Sequence, residues 1–243
     1  LVDNTTFKGN KAQGTSCGGA IQIEQLNSDV KITGSEFIAN HANGKDGYGG
    51  GAIYVSSPSS YERQGTMAIS DSLFENNTCD SNGGAILAKT TTVTVANSVI
   101  INNKDANDLA VYGLRSEVTS PSITLNDNWW GTNLSPKELV GGNGYRPTIN
   151  RWAILTVTND TPIVAGSTVK LTVSINSYTT GTANGTLSKL ITVKRSETIK
   201  TSFEDITGTL ENGEFTYDYT VPENLKFIAA TVDGETQILY AVS

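Results

Sequence analysis

The sequence predicts an all-β chain: a right-handed parallel β-helix over residues 1–140, followed by an antiparallel β-sandwich over residues 151–243. Three observations carry this. The tetrapeptide GGAI is written at residues 18–21, 50–53 and 83–86. A second motif, a large apolar residue with asparagine three places on, recurs in phase with it. From Trp152 both motifs give way to short runs of alternating apolar and polar residues.

The second motif sets the frame of the first part. VKITGSEFIAN (30–40) aligns with MAISDSLFENN (67–77), VTVANSVIINN (93–103) and ITLNDNWWGTN (123–133), and the opening LVDNTTFKGN fits the same frame. The large residues are Phe7, Phe37, Phe74, Ile100 and Trp130, and the asparagines are Asn10, Asn40, Asn77, Asn103 and Asn133. Short alternating runs between Gly, Asn, Asp and Ser turns are strands, and they are too brief for helices. A set of strands recurring about every thirty residues makes one coil of a solenoid. Coils stacked at roughly 4.8 Å place like residue on like. Alternation turns Val30/Ile32, Met67/Ile69, Val93/Val95 and Ile123/Leu125 inward, and Lys31, Ala68, Thr94 and Thr124 outward. Phe37 is expected between Phe7 and Phe74 in an internal stack.

The GGAI segments fall between these units. The first glycine suits a corner with positive φ, and the second lets neighbouring coils approach closely. Ile21, Ile53, Ile86 and Val111 are expected in one inward column. Val111 belongs to a degenerate copy, LAVYG (109–113), whose lost glycine pair predicts an altered corner near residues 107–113. Each motif asparagine is expected to take a left-handed turn and ladder its amide to the next coil. Trp129 and Trp130 are expected to cover the end of the stack, and LSPKELVGGNGYRPTINR (134–151) to form a junction.

Beyond the junction, WAILTVT, STVKLTVSI, LSKLITVKR, GEFTYDYTV, FIAATVDG and TQILYAVS read as strands of a sandwich. Asp233-Gly234 marks the turn of a closing hairpin. This part holds no cysteine, and no Lys-acid-Asn constellation points to a covalent cross-link.

Composition narrows the chemistry. The net charge is −7, and no Lys/Arg cluster offers a phosphate-tracking surface, so nucleic acid is not an expected partner. No apolar run is long enough for a membrane span. One histidine, His41, and two cysteines leave no zinc site and no histidine triad, and no cofactor is expected. Cys17 and Cys79 belong to coils two apart, roughly 9–10 Å by coil spacing. A disulfide needs Cα atoms within about 7 Å, so two free thiols are expected. Sequons at Asn4, Asn76, Asn133, Asn159 and Asn184 fit a secreted protein. The chain opens inside a repeat, which reads as a piece of a longer, monomeric protein with signal and anchor elsewhere.

Some β-helices cleave polysaccharides, and the best carboxylate pair here is Glu36 with Glu75. On adjacent coils, two residues out of step, they would lie roughly 8 Å apart, within the range of an inverting glycosidase. No Arg or Asp cluster accompanies them, so no catalytic residue is assigned. Asp127 between Asn126 and Asn128 has cation-ligand chemistry, but a turn explains it equally. His41 reads as a solvated loop residue. The recognition surface is assigned to the outward column of the GGAI strand: Gln22, Tyr54, Leu87 and Tyr112. Tyrosine stacks on sugars and hydrogen-bonds through its hydroxyl. The competing reading has a loop near residues 56–64 folding over this column and burying it.

GGAI alternating with FIAN and FENN resembles the repeats of chlamydial polymorphic outer membrane proteins. NDNWWGTNLSP (126–136) is similar to the end of the β-helix in adhesin-like surface proteins of methanogenic archaea, where immunoglobulin-like modules follow. The resemblance implies an extracellular, non-catalytic adhesin or stalk, its last part an immunoglobulin-like module, with a glycan or protein of another cell as partner. A carbohydrate-active β-helix enzyme is the alternative; it would need a groove of clustered carboxylates and basic residues.

Overall fold

The computed structural model describes residues 1–14, 17–45, 48–58, 64–114, 122–144 and 146–240. The chain forms two compact units. One holds Leu1–Trp130 and Ser135–Trp152, the other Gly131–Leu134 and Ala153–Ser243.

The first unit is built of parallel sheets, consistent with a β-helix. One sheet stacks Val2–Asp3, Val30–Thr33, Thr66–Ser70, Thr92–Ala96 and Ile123–Thr124. A second stacks Thr6–Lys8, Glu36–Ile38, Leu73–Glu75 and Val99–Ile101. A third, shorter sheet stacks Lys11–Ala12, His41–Ala42 and Thr78–Cys79. The fourth stacks Ile21–Ile23, Ile53–Ser56, Ile86–Lys89, Val111–Leu114 and Val140–Asn143. Each coil thus passes through the sheets in turn.

The register is the one the motifs predict. Val30 pairs with Met67, Met67 with Val93, and Val93 with Ile123. Met67, Val93 and Ile123 are buried, while Lys31, Ala68 and Thr94 are exposed. Phe37 stacks on Phe7 at 4.9 Å and on Phe74 at 4.8 Å between ring centroids, both nearly parallel. Ile100 pairs with Phe74 and continues the column.

Two polar ladders flank this apolar column. The backbone N–H and the side-chain amide of Asn10 both donate to Asn40 Oδ1; Asn40 does the same to Asn77, and Asn77 to Asn103. Each amide also reaches a carbonyl of the previous coil, Asn40 to Phe7 and Asn77 to Phe37. The left-handed residue is not the asparagine itself but the one before it: Gly9, Ala39, Asn76 and Asn102. The turn there swings the asparagine inward, where its amide replaces the ladder bonds the backbone cannot make at a corner. A second ladder has no counterpart among the expected features. The N–H of Thr5 donates to Ser35 Oγ, Ser35 to Ser72, Ser72 to Ser98, and Ser98 to Asn128 Oδ1.

The glycine pair behaves as its chemistry requires. Gly50 has φ of 78°, and a Cβ on Gly51 would lie 2.0 Å from the Gly84 carbonyl oxygen. In the degenerate copy Asp108 takes the left-handed corner at φ of 61°, and Leu109 stands where the second glycine was. Asp105 rebuilds the corner: its carboxylate accepts the N–H groups of Gly83, Asn107 and Leu109.

Residues 134–151, expected as a junction, instead carry much of a further turn of the first unit. Val140 pairs with Val111 and extends the Ile21/Ile53/Ile86 column, and Thr148 bridges Thr124. A 3-10 turn at Pro136–Leu139 leads into that strand. Trp130 is buried next in chain frame to the Ile100 position, and Trp129 bridges Val99 with its side chain fully buried. Asn133 leaves the ladder. It belongs to the second unit, where it exchanges two hydrogen bonds with the backbone of Leu155.

Among the described residues the second unit has two four-stranded sheets. In one, Thr168–Thr179 pairs with Trp152–Asn159 and runs antiparallel to Asn184–Thr186 and Glu214–Thr220. The other is antiparallel throughout, in the order Asp205–Leu210, Arg195–Thr201, Phe227–Val232, Glu235–Tyr240. The closing hairpin turns at Asp233-Gly234, both with positive φ, as expected. Arg195 holds Asp233 through Nε and Nη2.

Candidate functional site

The fourth sheet of the first unit brings the expected recognition residues together. Gln22 pairs with Tyr54, Tyr54 with Leu87, and Leu87 with Tyr112, so the four form one outward column. The surface they make differs from the one expected. Gln22 is exposed and Tyr112 half-buried, but Tyr54 is only 2% exposed and Leu87 0%. Outward from a sheet is not the same as toward solvent. Cys17 packs against Tyr54 and Leu87, with Leu114 beside them. Tyr48 lies across Tyr54, 6.0 Å between ring centroids. Burial pushes the Tyr54 phenol up to about 12, against a hydrogen bond from Ser56 that pulls the other way. Of the loop expected to do the covering, residues 59–63 lie outside the described residues.

The surface above this ridge belongs to residues the column does not contain. Tyr48 is 38% exposed, and the Lys89 ammonium sits 5.1 Å from its ring centroid. That separation is the distance of a cation–π contact. At the edge of the same face the Gln22 amide donates to Glu24 at 2.9 Å. The result is an aromatic ring backed by a second ring, flanked by one cation and, farther off, one carboxylate. Such a set can stack on the apolar face of a sugar and bond its hydroxyls. The signal for Tyr48 lay in the sequence, as the aromatic residue directly ahead of a triple glycine. Strand alternation could not find it, because Tyr48 precedes the strand.

The other candidates resolve into structure. Both thiols are free and buried. Burial pushes the Cys17 thiol up, opposed by a backbone hydrogen bond from Gly49. Burial likewise raises Cys79, opposed by the backbone N–H groups of Ser81 and Asn82. Glu36 pairs with Leu73 and Glu75 with Ile38, so the two carboxylates stand two residues out of step as expected. Glu36 accepts a hydrogen bond from the Thr6 hydroxyl. His41 lies on a strand, not in a loop. Its ring bonds Thr78 Oγ1 at 2.9 Å and Asn43 Oδ1 at 3.1 Å. Asp127 is a left-handed corner residue held by Arg151 through two contacts of 2.6 and 2.7 Å. Asn126 accepts the Asn150 N–H, and Asn128 points inward to the Val95 carbonyl and the Ser98 N–H. Those contacts make the trio a turn. No group of three or more metal-ligating side chains occurs among the described residues.

Two stretches, residues 4–24 and 71–89, match the model of the Chlamydia polymorphic membrane protein repeat. They cover well under half of the chain, and each contains GGAI together with a whole Phe-x-x-Asn motif. No curated protein and no solved structure matches the chain. No helix among the described residues is long and apolar enough to cross a membrane.

Proposed function

We propose that this chain is a non-catalytic part of an adhesin-like cell-surface protein, facing the extracellular medium. Its first unit engages a glycan or protein of another cell, and its second is an immunoglobulin-like spacer. The observation that carries this reading is the polymorphic membrane protein repeat at residues 4–24 and 71–89. The residues that recur in those stretches are consumed by the ladders and the internal stacks. A scaffold of this kind leaves its outer faces free for recognition, and the Tyr48–Lys89 face has suitable chemistry. A binding role for Gln22 and Tyr112 rests on the exposure of Gln22 and the half-exposed ring of Tyr112 in the same column, while Tyr54 and Leu87 support the face from beneath.

The test is a glycan-array and whole-cell binding screen of the whole chain, beside a polysaccharide-degradation screen. Binding without degradation is expected, lowered at least about tenfold by Tyr48→Ala or Lys89→Ala. Release of sugars from a polysaccharide, or full binding by a folded Tyr48→Ala/Lys89→Ala variant, would reject the reading.

A further inference from the structure

On the last turn of the first unit, Lys137, Glu138, Arg146, Pro147, Thr148 and Asn150 line a cavity of about 330 Å3. We propose that this cavity binds a carboxylate-bearing sugar, one uronic-acid residue of a glycan. It uses none of the residues of the Tyr48 face and holds whether or not that face binds.

The cation is pre-set. Arg146 donates from Nε to the Val140 carbonyl at 2.9 Å and from Nη2 to the Lys137 carbonyl at 2.6 Å. Two of its five N–H groups thus fix the guanidinium plane to the backbone, and the outer Nη1/Nη2 edge remains for a planar anion. The orientation is established before any ligand arrives, which lowers the ordering cost of binding. Lys137 adds a second cation to the same cavity. One carboxylate, Glu138, lies 3.8 Å from Arg146 and is almost fully exposed. The lining therefore carries a net positive charge on a chain whose overall charge is −7.

The remaining groups select a sugar over a bare anion. The backbone of Thr148 is tied up with Ile123 and Leu125, and the Asn150 N–H with Asn126. Those bonds hold the two residues in place and leave the Thr148 hydroxyl and the Asn150 amide for ligand hydroxyls. Glu138 can accept from a further hydroxyl, and the buried Pro147 closes the wall of the cavity. The same Glu138 repels a dianionic phosphate more strongly than a singly charged carboxylate. The volume is at the small end of the roughly 300–1,000 Å3 usual for small-molecule sites, which fits a single ring better than a nucleotide.

The experiment is a calorimetric and amide-NMR titration of the whole chain with methyl glucuronide (as its carboxylate), methyl glucoside and acetate. The uronide should saturate, move the amide resonances of residues 137–150, and bind at least about tenfold more tightly than either control. Lys137→Gln, which keeps both backbone contacts of Arg146, should weaken it about tenfold, as should Arg146→Gln. No saturable binding of the uronide, equal binding of the glucoside or of acetate, or wild-type binding by folded Lys137→Gln would each overturn the proposal. Amide shifts on the Tyr48 face with none at residues 137–150 would reject this site while leaving the other reading standing.

Discussion

Asn77 and Asn103 are joined twice: the backbone N–H and the side-chain amide of Asn77 both donate to Asn103 Oδ1, at 3.0 and 2.8 Å. One coil earlier Asn77 Oδ1 receives the same pair of bonds from Asn40. A single buried side chain therefore satisfies three successive coils. Asn77→Ala strands the Asn40 donors and removes the amide bond to the Phe37 carbonyl, while Asn103 Oδ1 keeps only the backbone N–H of residue 77. At roughly 1–3 kcal/mol for each group left unpaired, partly relieved by relaxation, the loss should be about 3–4 kcal/mol. Asn10→Ala, at an exposed position, should cost under about 1 kcal/mol. Urea melts of the two variants measure the contrast.

The aromatic stack predicts a second contrast, between neighbours. Phe37 is fully buried between two rings, whereas Glu36 is exposed. Phe37→Ala should cost about 3–5 kcal/mol, and Glu36→Ala less than about 0.5 kcal/mol. Similar denaturation midpoints for the pair would contradict the strand register.

Gly51 and Gly166 separate steric room from backbone strain. A Cβ on Gly51 meets the Gly84 and Thr78 backbones within 2.4 Å, so Gly51→Ala should cost more than about 3 kcal/mol or prevent folding. Gly166 has φ of 78° but nothing within 4 Å of a Cβ. Gly166→Ala should lose only the left-handed penalty, about 1–2 kcal/mol. Thermal melts that rank the two the other way would refute the close coil approach at Gly51.

The second unit should lose stability as pH rises from about 4.5 to neutrality. Glu197 is 3% exposed and neither carboxylate oxygen has a hydrogen-bond partner; a Cβ on Gly208 would meet both Glu197 Oε1 and the Phe215 ring. Burial raises its folded pKa from 4.5 to about 7. The unfolded chain therefore releases this proton at lower pH than the folded one. The group's stabilising share is complete below about pH 4.5, declines between there and pH 7, and is gone above it. The span is on the order of 3 kcal/mol. Glu197→Gln should flatten that slope in unfolding measured from pH 4.5 to 8, and a slope unchanged by the substitution would assign it to other groups.

Cys17 and Cys79 should be silent in the native protein. Burial raises both thiols and hides both sulfurs, so a thiol reagent at pH 8 should react slowly with the folded chain and count two thiols in denaturant without reductant. A count of zero would mean a disulfide.

The sequence by itself determined the apolar and amide columns that recur once per coil, though not the serine ladder beside them. Phe7, Phe37 and Phe74, the asparagines from Asn10 to Asn103, and the GGAI column each make their contact with their own copy in the next coil. Registering the copies is therefore the same act as predicting the contact. The all-β character and the parallel register follow from period and alternation alone. The tertiary structure decided what does not repeat. Tyr54 and Leu87 point outward, as alternation demands, yet Tyr48, Cys17 and Leu114 bury them, and no periodicity describes residues that cross a face from outside the strand. Val140 joins the fourth sheet although its segment lost the motif, because pairing with Val111 needs only an extended backbone and an apolar side chain. Asn133 keeps the motif and leaves the ladder, since its amide finds the Leu155 backbone instead. Glu197 looks like any polar residue of an alternating strand. Its burial arises only when Gly208 and the Phe215 ring close around it, an event set by strands distant in the chain.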